Sequence, residues 1–253
     1  MRAMILAAGL GTRLRPLTDK TPKALVKVGG RPILEYSLDL FVQHGIREAV
    51  INVHHHADQM QAFVAKANRR WPLALRVQDE SALLLGSGGG IATAREWLYE
   101  KDSAALFWNP DGLIFPDLTR MMAVHRAAAK IGDLATINVV RPTPGLKFGA
   151  VYCKNGRVLG FGRQADVEAA RTAEALHFIG AYILEKEAAA MLPAPGSVCD
   201  VAKEVWFQVA KAGRYGAFIH EGIYQELGTP EDVAAGTSRL TAGEFSNCLP
   251  PKF

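Results

Sequence analysis

The first 110 residues alternate between two hydrophobic rhythms. Residues 3–8, AMILAA, form a continuous apolar run, the pattern of a strand covered on both faces. Residues 31–45, RPILEYSLDLFVQHG, repeat apolar positions at helical spacing, with Pro32 near the first turn and Gly45 at the stop. Strand patterns over 47–53, 73–78 and 103–109 then alternate with helix patterns over 57–70 and 89–100. Strands alternating with helices predict a parallel sheet with helices on both faces.

The second half is less regular. Runs at 133–140, 148–154, 156–162 and 177–184 have strand character and are separated by loops. They predict a smaller antiparallel extension built onto the sheet. Residues 200–213 read as an amphipathic helix stopped by Gly213, 215–228 as a hairpin, 229–243 as a closing helix, and 247–253 as a frayed tail. The fold class expected is α/β, a Rossmann-like, mostly parallel central sheet with an antiparallel extension. A single domain spans 1–253, with halves at 1–112 and 113–245 and a tail from 246.

Composition narrows the partners. Hydrophobic residues make up 49% and charged residues 21%, an ordinary globular balance. The formal charge of +4 is spread along the chain without a dense basic run, so a nucleic-acid surface is not expected. No apolar run is long enough for a bilayer, and AMILAA runs straight into a glycine-rich loop, so it reads as a core strand and not a leader. Cys153, Cys199 and Cys248 lie far apart without CxxC spacing, which argues against a disulfide framework or a zinc site. The compartment expected is the cytoplasm.

The chemistry concentrates after the first strand, in GLGTRLRPLT (9–18) and TPKAL (21–25). Loops at the carboxyl ends of parallel strands are where ligands of open sheets bind. Ala7, Ala8, Gly9 and Gly11 let a base or phosphate approach the backbone, and successive N–H groups in such a turn make an anion-binding concavity. Arg13 offers a planar fork and Lys23 a point charge to a polyphosphate. The P-loop pattern is absent, and Leu14 stands where a dinucleotide fingerprint needs its third glycine. A nicotinamide-dependent dehydrogenase is therefore not expected.

The combination GxGTRxRPLT followed by PK resembles the sugar-1-phosphate nucleotidyltransferases, residue by residue from Gly9 to Lys23. The resemblance continues through residues 24–46, LGSGGGI (85–91) and LGTPEDV (227–233), and is looser between 112 and 220. Within that family the chain is most similar to short bacterial enzymes acting on N-acetylmuramate 1-phosphate or mannose 1-phosphate. The C-terminal β-helix of longer relatives is not expected.

The resemblance implies a Mg²⁺-dependent attack of a sugar phosphate on the α-phosphorus of a nucleoside triphosphate, with pyrophosphate released. Leu6, Ala7, Ala8, Gly9, Gly11, Thr12 and Arg13 would hold the nucleotide, with Gly88 and Gly89 forming its base and ribose wall. Arg13, Lys23 and Asp111 would be the catalytic groups, and Asn109, Gly149, Arg163 and Gly180 would line the sugar-phosphate side. Asp111 would bind magnesium together with Glu226, which stands where the family usually has aspartate. UTP is the favoured nucleotide and GTP the second, in a monomer or homodimer, with cell-wall recycling as the setting.

Two other readings compete. One is mannose-1-phosphate guanylyl transfer. The other is a catalytically weakened nucleotide or NDP-sugar sensor, motivated by Glu226, by Pro110 between Asn109 and Asp111, and by a missing glutamate before Arg163. The triplet His54–His56 reads as a structural turn, and Trp108 as core packing.

Overall fold

The computed structural model describes residues 1–142, 150–162 and 171–253. The first-half strands are β1 (Arg2–Leu6), the short pair β2 (Lys27–Val28) and β3 (Arg31–Pro32), β4 (Glu48–Val53), β5 (Ala74–Asp79), β6 (Ala104–Trp108) and β7 (Gly112–Leu113). The second half adds β8 (Ala135–Val140), β9 (Ala150–Lys154), β10 (Arg157–Phe161), β11 (Glu174–Glu185), β12 (Tyr215–Ile219) and β13 (Gln225–Glu226). Nine of these make one sheet in the order β5-β4-β1-β6-β11-β8-β12-β10-β9.

The four strands at the β5 end are parallel to one another, as the alternation of the first half predicts. The extension is not a separate layer. It joins the same sheet through β11, which runs antiparallel to β6, β8 and β9, while β12 returns parallel to β8.

Side chains of each strand go alternately to the two faces. Ala3 and Ile5 enter a core with Phe41, Ile51, Met60 and Leu106. Met4 enters a second core with Val50, Ile91, Leu98 and Phe107. Helices α1 (Ile33–Gln43), α2 (Ala57–Arg70) and α4 (Leu118–Ala129) cover the first face, and α3 (Gly86–Leu98) covers the second. Trp108 is a core residue, 1% exposed, edge-on to Phe41 and donating its Nε1–H to Ser37 Oγ at 2.8 Å.

The structure differs from the pattern reading in three places. Residues 215–228 are not a hairpin: β12 is already paired on both edges, with β8 and β10, so the chain leaves the sheet and β13 pairs with β7 instead. The helix expected at 200–213 opens with a π turn, Ala202–Trp206, before the α-helical Phe207–Lys211. The expected frayed tail lies against the body, where Arg70 Nε donates to the Phe253 carbonyl at 2.7 Å.

Candidate active site

The loop after β1 is held from both sides. Ala7 N–H donates to Asn52 Oδ1 at 2.8 Å, and Asn52 Nδ2 donates to the buried carboxylate of Glu80 at 2.9 Å. Gly11 sits at φ +63°, and Thr18 Oγ1 donates to its carbonyl at 2.8 Å. A 3₁₀ turn over Thr12–Leu14 then buries Leu14 as the loop's anchor. A second 3₁₀ turn over Lys23–Leu25 buries Ala24 and brings Lys23 Nζ to 3.9 Å from Asp111 Oδ2.

Asp111 follows β6 at the carboxyl edge of the sheet. Asn109 N–H donates to the Gly180 carbonyl at 2.7 Å, Asp111 N–H to Asn109 at 2.9 Å, and Leu227 N–H to Asp111 at 2.9 Å. These bonds tie β6, β11 and β13 together at one point. Pairing of β13 with β7 sets Glu226 opposite Gly112, next to Asp111. Gly180 has φ +88°, and a methyl group there would lie 3.0 Å from the Asn109 carbonyl and 3.3 Å from Asp111 Oδ1. A methyl group at Gly228 would meet Glu226 Oε1 at 3.0 Å and Arg13 Nη1 at 3.1 Å, so that glycine lets the loop close over the pair.

The electrostatics follow from this crowding. Burial raises the Asp111 carboxyl above the ordinary aspartate range, with Lys23 and Arg13 pulling the other way. About a third of its side chain, 36%, stays open to solvent, so water screens part of the effect. Burial and then the Asp111 charge raise the Glu226 carboxyl, which also accepts a short hydrogen bond from the Tyr224 hydroxyl. Tyr224 is itself pushed well above the ordinary phenol range by burial.

Two cavities meet at this point, of about 320 and 470 Å³, and share Asn109 and Asp111. The smaller is lined by Leu6, Ala7, Ala8, Gly9 and Lys23 on one side and Gly86 and Ser87 on the other. The larger contains Arg13, Gly180, Tyr224 and Glu226, with an aromatic wall that includes Trp206.

A family model described as nucleotidyl transferase matches residues 2–242. The chain belongs to the nucleotidyl transferase family. A UTP–glucose-1-phosphate uridylyltransferase of Synechocystis is 29% identical over 221 residues, 84% of this chain and 56% of the relative, so the chain spans little more than half of that protein. An N-acetylmuramate alpha-1-phosphate uridylyltransferase of Caulobacter vibrioides is 29% identical over 260 residues, covering 94% of this chain and 96% of the relative. The solved structure of HddC from Yersinia pseudotuberculosis superposes with a TM-score of 0.71 at 22% identity, covering 94% of this chain and 99% of that one. That likeness shows the nucleotide-diphospho-sugar transferase fold.

Within this nucleotidyl transferase fold, the structure brings together most of the residues singled out from sequence. Leu6, Ala7, Ala8, Gly9 and Lys23 line the smaller cavity, and Arg13, Gly180 and Glu226 the larger. Asn109 and Asp111 line both. Gly11 and Thr12 shape the loop without lining either cavity. Gly149 and Arg163 lie outside the described residues.

Gly88 and Gly89 are a correction. They are buried inside α3 and line neither cavity. A methyl group at Gly88 would meet Cys199 Sγ at 2.7 Å, and one at Gly89 would meet the Ser197 carbonyl at 2.0 Å. Their N–H groups donate to the Cys199 carbonyl at 3.0 and 3.3 Å. The glycines therefore admit the chain's own 197–201 segment and not a ligand, and Leu84, Gly86 and Ser87 form the cavity wall.

Sequence reading also missed Asn52, Tyr224 and Trp206. Asn52 is a polar residue inside the apolar run that follows Glu48 in its strand, the one signal that pointed to it.

Magnesium is the metal implied by the family. Among the described residues no three His, Cys, Asp or Glu side chains group as a metal cluster, but Mg²⁺ needs only one or two carboxylates and fills its shell with phosphate oxygens and water. Burial raises both carboxyls beside a cavity, and the Asp111 charge raises Glu226 further, a donor pair that a cation would relieve. The residues fit the ion.

Proposed function

We propose that this chain transfers a nucleotidyl group from a nucleoside triphosphate to a sugar 1-phosphate, giving an NDP-sugar and pyrophosphate. The observation that carries this reading is Asp111 at the seam of two cavities, with Lys23 on one side and Arg13 and Glu226 on the other. The nucleotide occupies the smaller cavity, its phosphates along the open backbone of Ala8 and Gly9. The acceptor occupies the larger.

An oxygen of the acceptor phosphate forms a bond to the α-phosphorus, and the bond to the bridging oxygen of the β-phosphate breaks. No protein nucleophile takes part, so alignment and charge supply the rate. Lys23, close to Asp111, faces the α-phosphate. Arg13 faces the charge that grows on the departing pyrophosphate. Asp111 and Glu226 would hold magnesium, which would supply positive charge to the phosphates. The preferred pair is UTP with N-acetylmuramate 1-phosphate, which suits the near-full-length match to the Caulobacter vibrioides relative and a cytoplasmic role in cell-wall recycling.

The test is pyrophosphate release with Mg²⁺. UTP, GTP, CTP and dTTP are crossed with muramyl, glucosaminyl, mannosyl and glucosyl 1-phosphates, with Asp111→Asn as control. Release with one pair, reduced ~10²–10³-fold in the control, supports the reading. GTP with mannose 1-phosphate as the active pair replaces the substrates and keeps the reaction. Nucleotide binding with no release from any pair replaces the enzyme with a sensor.

A further inference from the structure

The larger cavity joins two clusters of unlike chemistry. Arg13, Asp111, Tyr224 and Glu226 form one, in mutual electrostatic contact. Phe161, Phe178, Trp206 and Phe207 form the other. Phe161 stacks on Trp206 with centroids 5.5 Å apart and planes at 29°, and lies 5.8 Å from Phe207. Trp206 meets Phe178 edge-on at 5.2 Å and Tyr182 at 4.9 Å. Tyr182 is fully buried, so the wall is backed by core and does not fold away.

Trp206 stands at the end of the π turn Ala202–Trp206. Such turns insert an extra residue into a helix and recur where a side chain has to be re-aimed. The turn is anchored at its start: Asp200 Oδ1 accepts from the N–H groups of Ala202 at 2.9 Å and Lys203 at 3.3 Å. Asp200 Oδ2 also accepts from Ser87 Oγ at 3.1 Å, which ties the wall to the first turn of α3 beside the smaller cavity. The Trp206 indole N–H is shielded and finds no acceptor among the described residues. Among the described residues, packing orients the ring.

We infer that Phe161, Trp206 and Phe207 determine acceptor specificity, selecting a sugar phosphate that carries an acyl substituent over a fully hydroxylated hexose phosphate. The inference rests on the nucleotidyl-transfer reading and deepens it. A hydroxyl pressed against this wall loses its water and finds no partner, whereas an acyl group lays its methyl against the rings and leaves its polar atoms to the open side. The phosphate end stays at the seam beside Asp111 for either acceptor, so the wall discriminates between acceptors and not between nucleotides.

The test measures kcat/KM for pyrophosphate release with N-acetylated and unsubstituted hexosamine 1-phosphates and with glucose 1-phosphate, in the wild type, Trp206→Leu and Phe161→Leu. Nucleotide affinity by direct titration and a thermal melt accompany each variant. The wild type is expected to prefer the acylated acceptor by roughly tenfold or more. Both variants are expected to shrink that ratio through a raised KM for the acylated acceptor, with nucleotide affinity unchanged. Equal or better use of the unsubstituted acceptors by the wild type overturns the inference and leaves nucleotidyl transfer standing. So does a variant that lowers turnover of all acceptors alike. The wild-type ratio decides even where a variant fails to fold. Nucleotide binding without release from any acceptor overturns the transfer reading, and the inference with it.

Discussion

Gly9 and Gly11 stand two residues apart in the loop after β1, and their reasons for being glycine differ. Among the described residues nothing lies within 4 Å of a methyl group at Gly9, whereas one at Gly11 would meet Thr18 Cγ2 at 2.9 Å on a backbone held at φ +63°. Gly11→Ala is expected to destabilise the fold by about 1–2 kcal/mol, the left-handed penalty for an L-residue. Gly9→Ala is expected to melt with the wild type but to raise the nucleotide KM by at least about tenfold, because in the proposed reading the space it fills is taken by the phosphates. Equal melting temperatures for the two variants, or an unchanged KM for Gly9→Ala, would contradict this division. At Glu226 the expected change concerns metal. Glu226→Gln removes a carboxylate beside Asp111 and, in the proposed site, one magnesium ligand. The Mg²⁺ concentration at half-maximal rate should rise, and magnesium titration of the variant reads it directly. A curve that superposes on the wild type would remove Glu226 from the metal site.

At the scale of elements, the closing helix Pro230–Thr241 sets the position of Glu226 from outside the site. Thr229 caps it, accepting from Asp232 N–H at 3.2 Å, while the Asp232 carboxylate accepts from Thr229 N–H at 2.9 Å. The same carboxylate accepts from Gly228 N–H at 3.2 Å, so the capping box also fixes the loop that carries the Glu226 and Arg13 contacts. Thr229→Ala is expected to lose about 1 kcal/mol, a melting shift of about 2–4 °C for a chain of this size. A thermal melt checks it. The closing helix was legible in sequence over 229–243, and it lies there, from Pro230 to Thr241. The strand before it was not legible, because pairing of β13 with β7 depends on which edges the main sheet leaves free.

Across the whole molecule, several histidines are carried into the fold uncharged. Burial lowers His44, His177, His220 and His125, the last in spite of its hydrogen bond to Glu185. The unfolded chain takes these protons near 6.5, the ordinary histidine value, and the folded chain only at lower pH. Their contribution to stability is therefore complete above that value and declines as pH falls below it. Asp111 and Glu226, both raised, act in the opposite direction as they protonate. The histidines are expected to dominate, so the melting temperature should fall between about pH 7.5 and pH 5.5, and His125→Asn should flatten the slope. A melting temperature that holds or rises over that interval would sink the account.

The sequence by itself determined the parallel half of the sheet, its helices, and the family through the loop from Gly9 to Lys23. These are local signals: apolar period, punctuation by proline and glycine, and charges fixed within one loop. It also named Asn109, Asp111, Gly180 and Glu226, which lie in three distant stretches of sequence and meet at one point of the structure. Only the tertiary structure decided why Gly88 and Gly89 are glycine, because the segment that fills their space comes from residues 197–201. It also decided that Trp206 borders a cavity, since a helical apolar pattern is the same whether the ring faces core or ligand. Period reports that a face is covered; what covers it depends on contacts between residues far apart in the chain.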